Sequence, residues 1–246
     1  MIIERTEAEG WLSNAYLVAD SEGGHAVLID GNGVTQPLVD AVERLNVVVD
    51  AILLTHHHGD HLAGLDVYKD RFGGPLIAHA KTAELIDEDV QHIVEDGEQL
   101  QFGGLRIEAL HTPGHAAGHV AYVVNTWDCF TGDVLFKGTV GGTFAPGGTG
   151  YADLKASVLR LVDLPAETTL HPGHRAPTTA GEEREHNPFV RIWRGLDPEG
   201  EDTCTVWDRE ARLVLWAPDY DGTNKAWIRF TDDGSDGIVG GSQVRR

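Results

Sequence analysis

The amino-acid sequence predicts an α/β fold followed by a small segment made only of β-strands. In the first half of the chain, apolar β-branched runs alternate with segments of helical periodicity, which is typical of sheets covered by helices. The composition changes near residues 196–200, and three aromatic, β-branched stretches follow. With 246 residues, 41% of them hydrophobic, the chain is long enough for one large domain and a small addition. We therefore expect a main domain at residues 1–199 and a small β-rich C-terminal segment at residues 200–246.

The predicted strands of the main domain are short and rich in apolar or β-branched residues. The longest, Val47–Thr55, is apolar almost throughout and is expected to be buried. Helical periodicity marks Leu62–Phe72, which ends at Gly73-Gly74-Pro75. The other predicted strands are Ala15–Ala19, His25–Ile29, Leu105–Leu110, His119–Val124, Asp128–Thr131 and Thr168–Leu170. The other predicted helical segments are Gln36–Leu45, Asp153–Val162 and Gly181–His186.

The C-terminal segment contains three predicted strands, each with one tryptophan: Thr203–Trp207, Arg212–Ala217 and Lys225–Phe230. Asp-Gly pairs at 221–222 and 233–234 predict turns between and after them. Residues 237–241 are interpreted as a loose tail or a short final strand. We expect this segment to pack against the main domain; a homodimer contact or a lid over the site are the alternatives.

The charge of the chain argues against polyanionic partners. The sequence has 19 Lys and Arg against 39 Asp and Glu, a formal net charge of −20, whereas phosphate binding needs clustered basic residues. Neither nucleic acid nor an anionic membrane is therefore expected as a partner. The sequence has no run of about 18 apolar residues, and its start lacks the features of a signal peptide, so we expect a cytoplasmic protein. Cys129 and Cys204 predict no disulfide framework, and Cys129 is expected to be a buried core thiol.

Histidines provide the main functional signal. Nine of the 13 fall in three short clusters at 56–61, 111–119 and 171–174. The first cluster has the pattern H-x-H-x-D-H, formed by His56, His58, Asp60 and His61, directly after the buried strand Val47–Thr55. Imidazoles with a carboxylate suit Zn²⁺, Fe or Mn, and so many polar groups beside a buried strand are costly without a metal or pairing. The pattern therefore predicts a metal site.

Three further motifs place metal-binding residue types just after predicted strands. They are His111-Thr112-Pro113-Gly114-His115, Thr131-Gly132-Asp133 and His171-Pro172-Gly173-His174. Loops at the ends of strands are where protein scaffolds commonly carry chemistry. His57 is expected to point away from the metals, and His111 and His171 to support ligands rather than bind.

In this order and spacing, the four motifs resemble those of the metallo-β-lactamase superfamily, and within it the glyoxalase II (hydroxyacylglutathione hydrolase)-like branch. The resemblance covers about residues 12–195 and includes the segment 182–189 after the last motif. It implies a four-layer αββα sandwich with the site at one edge of two sheets.

The resemblance also implies a ligand set for two divalent metal ions, with Zn²⁺ expected and Fe or Mn as alternatives. His56, His58 and His115 hold the first ion, and Asp60, His61 and His174 hold the second. Asp133 bridges the two. Asp60 and Asp133 are accordingly the predicted catalytic carboxylates, and all seven positions are filled in this chain.

The implied chemistry is hydrolysis of a small acyl substrate. Two metals about 3.5–4 Å apart share a bridging hydroxide that attacks an activated carbonyl. A thiolate leaves readily because its conjugate acid has a pKa of about 8.5, which favours a thioester but leaves other esters open. One departure concerns glutathione: Gly142 stands where the branch usually has a basic residue, and the branch's helical C-terminal domain is absent from the pattern.

Three alternatives remain at this stage. A lactonase or other ester hydrolase on the same site is one, although lactonase relatives often carry Tyr where this chain has Phe136. A persulfide dioxygenase with a single iron at His56, His115 and Asp133 is the second. A non-enzymatic binding role is the third, but such relatives usually lose ligands and this chain keeps all seven.

Overall fold

The computed structural model describes residues 1–246 and contains two six-stranded sheets, one five-stranded sheet and a short hairpin. The strands of the first sheet are β1 (Ile2–Glu7), β2 (Asn14–Ala19), β3 (His25–Ile29), β4 (Val48–Leu53), β5 (Leu76–His79) and β6 (His92–Val94). They lie in chain order. The pairs β1–β2 and β2–β3 are antiparallel, whereas β3, β4, β5 and β6 run parallel to one another.

The second sheet faces the first. Its strands are β7 (Gln99–Phe102), β8 (Leu105–His111), β9 (Val120–Val124), β10 (Asp128–Gly132), β13 (Thr169–Pro172) and β14 (Thr178–Thr179). Their spatial order is β14-β13-β10-β9-β8-β7, and only β10 and β13 are parallel. A separate hairpin follows β10 in the chain and consists of β11 (Leu135–Phe136) and β12 (Thr139–Val140).

Six α-helices accompany the sheets: α1 (Gln36–Leu45), α2 (Leu65–Phe72), α3 (Ala80–Ala83), α4 (Tyr151–Val162), α5 (Ala180–His186) and α6 (Pro188–Trp193). Helix α1 shows why these segments are helical. Its apolar residues recur at three- and four-residue spacing on one buried face, and it ends at Asn46, which has a left-handed φ of 51°. None of the helices combines the length and the apolar character that crossing a membrane requires.

Three clusters of buried hydrophobic residues show how the sheets and helices are layered. One cluster lies between the two large sheets and contains Val27, Leu53, Ile107 and Tyr122. A second lies between the first sheet and helices α1 and α2. A third lies between the second sheet and helices α4 and α6. Helices therefore cover the outer faces of two stacked sheets, and the predicted four-layer αββα sandwich is confirmed.

The C-terminal sheet comprises β15 (Asp202–Val206), β16 (Arg209–Pro218), β17 (Asn224–Phe230), β18 (Asp236–Gly240) and β19 (Val244–Arg245). It is antiparallel, in the order β18-β17-β16-β15-β19. One face has its own small core, while Val214, Ala217, Trp227 and Ile238 belong to the core cluster of the second large sheet. The segment thus packs on the sandwich; its status as a separate domain at residues 200–246 stays a prediction.

Two predicted elements differ from the structure. Helix α2 begins at Leu65 rather than Leu62, because residues 59–61 form a 3₁₀ turn and the Gly64 N–H bonds to the Gly31 carbonyl. Trp207 was predicted on a strand and instead occupies a two-residue turn with Asp208. Their φ angles of 49° and 63° are those of a type I′ hairpin turn. The turn was not predicted because the sequence here lacks the Asn-Gly or Asp-Gly pair that usually marks such turns.

No element was predicted between residues 76 and 102, where the structure has strands β5, β6 and β7. These strands have only three or four residues, which is too few to show a reliable period. Strand β1 was also missed. It is an edge strand with a largely polar sequence, IIERTE, and its hydrogen bonds to β2 hold it in place.

Candidate metal centre

The predicted ligands converge at one edge of the two large sheets, where several strands end. His56 follows β4, Asp133 follows β10, and His174 follows β13, with His115 in the loop after β8. Because β10 and β13 are parallel, their carboxyl ends lie side by side. The ligand-type side chains form two groups. Within each group, the ligand nitrogen and oxygen atoms all lie within 4.8 Å of one another. They are His56, His58, His115 and Asp133 in the first group, and Asp60, His61 and His174 in the second.

The first group has the spacing of a metal coordination shell. His58 Nδ1 lies 3.0 Å from His115 Nε2, and Asp133 Oδ2 lies 3.6 Å from His115 Nε2 and 3.9 Å from His56 Nε2. Tetrahedral ligands with metal–nitrogen bonds of about 2.0–2.1 Å are about 3.3 Å apart. The side chains therefore surround one point at which a single ion fits.

The second group adjoins the first through Asp133. Asp60 Oδ2 lies 3.5 Å from both His61 Nε2 and His174 Nε2. Asp133 Oδ1 is 3.3 Å from His61 Nε2, and Asp133 Oδ2 is 3.2 Å from His174 Nε2. One carboxylate therefore lies within reach of both groups, which is the placement expected of a bridging ligand.

Hydrogen bonds fix the tautomers of the first group. His58 Nε2 and His115 Nδ1 each lie 3.0 Å from a backbone carbonyl, those of Pro146 and Gly142. A carbonyl only accepts, so both of these nitrogens carry hydrogen. The opposite nitrogens, 3.0 Å apart, then present lone pairs to each other. Two facing lone pairs repel unless a cation lies between them, so this arrangement suits a bound metal.

Asp30 orients two more imidazoles, and the sequence analysis missed it. Its Oδ2 accepts hydrogen bonds from His61 Nδ1 at 2.9 Å and from the Thr55 hydroxyl at 2.7 Å. The Thr55 oxygen in turn accepts from His56 Nδ1 at 2.9 Å. His56 and His61 are both fully buried, and their Nε2 atoms have no hydrogen-bond partner in the protein. Asp30 directly follows β3, so it lies just after a strand end, as the predicted ligands do, although it is not itself in either ligand group.

Asp133 is held from its backbone. Its N–H donates to His119 Nε2 at 3.0 Å, and His119 Nδ1 bonds to the Thr112 hydroxyl at 2.8 Å. His119 is fully buried, so it fixes the backbone next to the carboxylate that is predicted to bridge the two groups. Gly173 leaves room on the other side, because a Cβ there would lie 2.1 Å from Asp133 Oδ1. A side chain at 173 would displace the carboxylate.

The two groups differ in charge. Burial lowers the pKa of His115 to about 4 and that of His56 well below its usual value, so both rings are neutral at pH 7. Burial acts in the same direction on His61, but Asp133 and Asp30 outweigh it and raise that pKa well above its usual value. A metal at the second group would therefore compete with a proton on His61, whereas the rings of His56 and His115 are already neutral.

The unpartnered atoms test whether a metal fits. His56 Nε2 is buried without a hydrogen-bond partner and faces the first group, while His61 Nε2 and Asp133 Oδ1 are buried with only their mutual contact at 3.3 Å. A buried polar atom without a partner costs about 1–3 kcal/mol, so this arrangement requires compensation. Metal ions supply it, and the donor set of imidazole and carboxylate suits Zn²⁺, Fe or Mn.

The remaining cluster histidines lie outside both groups. His57 belongs to neither, and a Cβ at Gly147 would meet its ring. His111 Nε2 bonds to the Ala117 carbonyl at 2.9 Å, and His171 Nε2 bonds to Asp128 at 2.8 Å. Cys129 is fully buried, and burial raises the pKa of its thiol, as expected of a core cysteine.

The C-terminal sheet borders the centre. A cavity of about 550 Å³ over the two groups is lined by Trp11, His58, Gly59, Asp60, His115, Asp133, His174 and Tyr220. Tyr220 lies in the loop between β16 and β17. At the other side, Thr143 exchanges hydrogen bonds with the backbone of Ile238 in β18, at 2.9 and 3.0 Å, next to the Gly142 carbonyl that holds His115. Sequence patterns gave no sign of either contact.

Comparison with known proteins agrees with this geometry. The chain matches the family model of the metallo-beta-lactamase superfamily over residues 8–174, and it belongs to that superfamily. The matched region contains all seven predicted ligands and ends before the C-terminal sheet. The chain is also 30% identical over 210 residues to the hydroxyacylglutathione hydrolase GloC of Haemophilus influenzae, an alignment that covers 77% of this chain and 98% of that protein.

Solved structures show the same fold. The BLEG-1 B3 metallo-beta-lactamase is 30% identical, with a TM-score of 0.70 over 77% of this chain and 99% of that one. ETHE1 from Myxococcus xanthus is 27% identical, with a TM-score of 0.70 over 80% and 92%. TTHA1623 in a di-iron-bound form is 32% identical, with a TM-score of 0.66 over 76% and 99%. The chain is therefore similar to a protein that binds two metal ions.

Proposed function

We propose that this protein is a dinuclear metal-dependent hydrolase that cleaves a thioester or a related acyl compound. The observation that carries the proposal is the pair of ligand groups that share Asp133, which lies 3.6 Å from His115 Nε2 in the first group and 3.3 Å from His61 Nε2 in the second. Similarity to a hydroxyacylglutathione hydrolase over most of both chains supports acyl hydrolysis, with a lactone or another ester as the alternative to a thioester.

The residues of the centre have different roles in the proposed reaction. Two bound divalent ions would supply an activated water and polarise the substrate carbonyl. Asp133, with 8% of its side chain exposed, holds the two groups together, while Asp60, with 22% exposed, borders the cavity. Both carboxylates line the cavity, but Asp60 is the more exposed of the two and is therefore the one that we assign to take a proton from entering water. A thiolate leaving group needs no acid, since its conjugate acid has a pKa of about 8.5.

A mononuclear iron dioxygenase is the second candidate. Its iron would be held by His56, His115 and Asp133, and the similarity to ETHE1 motivates it. Against it stands the second group. With one ion only, the fully buried His61 and the largely buried His174 would direct nitrogens at Asp60 and Asp133 without a metal to bind. The complete second group therefore favours the two-metal hydrolase.

Metal content distinguishes these two candidates. We expect the purified protein to contain close to two metal ions per chain, mainly zinc, because both ligand groups are complete. Elemental analysis after expression in medium with balanced zinc, iron and manganese measures this directly. One iron per chain with no second metal would exclude the dinuclear hydrolase and favour the dioxygenase.

Glutathione thioesters are expected to be poor substrates compared with uncharged acyl thioesters. No Lys or Arg lines the cavity, and Gly142 stands where the resemblance to the glyoxalase II-like branch implies a basic residue. Two cations of the C-terminal sheet are already engaged: Lys225 pairs with the buried Asp219 at 3.0 Å, and Arg229 pairs with Glu199 and Asp236. Losing one charge-assisted hydrogen bond worth about 1.5–3 kcal/mol lowers affinity roughly 10- to 150-fold.

The measurement is kcat/KM for lactoyl-glutathione against uncharged acyl thioesters and lactones. Gly142→Arg provides the gain-of-function test, since a Cβ at this position has ordinary clearance, with its nearest atom 3.7 Å away. We expect this variant to gain activity on the glutathione compound and to keep its activity on uncharged substrates. A strong preference of the unaltered protein for lactoyl-glutathione would contradict the prediction without affecting the assignment as a hydrolase.

A further inference from the structure

His174 differs from the other imidazoles of the centre in how it is held. His56, His58, His61 and His115 each bond their second ring nitrogen to a hydroxyl, a carboxylate or a carbonyl. The second nitrogen of His174, Nδ1, is buried and has no hydrogen-bond partner. No hydrogen bond through Nδ1 therefore fixes the rotation of this ring.

Aromatic packing takes the place of that bond. The ring of Tyr220 stacks on the ring of His174, with centroids 4.5 Å apart and planes inclined by 19°. Phe136 meets both rings, at 5.6 Å from His174 and 4.6 Å from Tyr220. Two aromatic side chains thus confine His174 so that Nε2 faces Asp60 and Asp133, at 3.5 and 3.2 Å.

The loop that carries Tyr220 is itself well fixed. The Tyr220 N–H donates to Asp219 Oδ1 at 2.9 Å, and Asp219 Oδ2 lies 3.0 Å from Lys225 Nζ. Both side chains of this ion pair are at least nine-tenths buried. The turn closes where Thr223 donates to Asp221 through its N–H, at 2.8 Å, and its hydroxyl, at 2.6 Å. Tyr220 is therefore presented to the metal centre by a rigid part of the C-terminal sheet.

We propose that Tyr220 is a positioning residue for the second metal ion, acting by stacking on His174, and that the C-terminal sheet is for this reason part of the metal centre. The inference rests on the proposed two-metal function. It concerns a segment that lies beyond the residues matched by the superfamily model, which end at 174. Substitution of groups that orient metal ligands typically lowers metal affinity about 10- to 100-fold, and we expect an effect of this size at the second position only.

The test is stepwise zinc titration of the metal-free full-length protein by calorimetry. Tyr220→Leu removes the stacked ring and should weaken the second binding step about 10- to 100-fold while the first step is unchanged. Tyr220→Phe keeps the ring and should bind both ions as the unaltered protein does. Trp11→Ala is the matched control, because Trp11 lines the same cavity and does not stack on His174. If Tyr220→Leu does not fold, Tyr220→Met replaces it.

The outcomes separate this inference from the proposed function. Binding of only one ion by the unaltered protein would contradict the dinuclear hydrolase itself. Given two steps in that protein, unchanged affinities in Tyr220→Leu would overturn the role of Tyr220. Equal weakening of both steps, or the same loss in Tyr220→Phe or Trp11→Ala, would also overturn it, since stacking on His174 predicts none of these results.

Discussion

Replacing Asp133 with alanine is expected to abolish turnover and to reduce metal binding at both positions. Its two oxygens lie within 3.3 Å of ligand nitrogens in the second group, and it is the only carboxylate in the first. Changes in groups that merely orient ligands cost about 10- to 100-fold, so loss of a shared ligand should lower kcat/KM by on the order of 10³-fold or more. Elemental analysis and kinetics on the same preparation measure both effects.

His57→Ala is the matched control for this experiment. His57 lies between two predicted ligands in the sequence, but it belongs to neither ligand group. Its loss should leave the metal content near two ions and kcat/KM within a few-fold of the unaltered protein. Equal metal loss in the two variants would show that the ligand assignment is wrong. Circular dichroism of both variants verifies that a loss of metal is not caused by unfolding.

The side chains that the structure brings together in the two groups could be predicted from the sequence because the relevant signals are local. His56, His58, Asp60 and His61 fall within six residues after one buried strand, and the other three ligands each follow a strand end. The two-sheet architecture was inferred by resemblance, since alternation of strands and helices alone indicates only sheets covered by helices. The two-sheet architecture predicts which strand ends lie at the same edge of the sandwich. The family model and the similar solved structures confirm this fold.

The supporting residues were harder to predict because their roles depend on tertiary contacts. Asp30 reaches His61 from a different strand, 31 positions away, and Tyr220 reaches His174 from a sheet beyond the matched region. Nothing in the local sequence of a hairpin loop marks a tyrosine as a neighbour of a metal ligand. His119 is buried and accepts a hydrogen bond from the backbone of Asp133, a contact that no spacing in the sequence shows. Side-chain environment, rather than spacing, decides such roles.

The C-terminal sheet is expected to be essential for stability. Deleting residues 200–246 would remove Val214, Ala217, Trp227 and Ile238 from the core cluster that also contains Leu110, and it would expose the apolar residues beneath them. It would also remove Tyr220 and the Ile238 backbone that anchors Thr143. We therefore expect the truncated chain to aggregate or to melt far below the full-length protein. Unchanged melting temperature, oligomeric state and kinetics would show the sheet to be a passive tail.

Trp227→Ala tests the same packing with a single substitution. Trp227 is 2% exposed, packs 5.2 Å from the ring of Tyr151 and 6.1 Å from that of Trp193, and donates from Nε1 to Asp236 at 2.7 Å. Removing a buried tryptophan costs about 3–5 kcal/mol, which lowers the melting temperature of a protein of this size by about 6–20 °C. Trp207→Ala makes the same chemical change at a residue that is 46% exposed on a hairpin turn, so its melting temperature should stay within about 3 °C of the unaltered protein. A similar loss in both variants would mean that the effect of Trp227→Ala does not come from the burial of this ring against Tyr151 and Trp193.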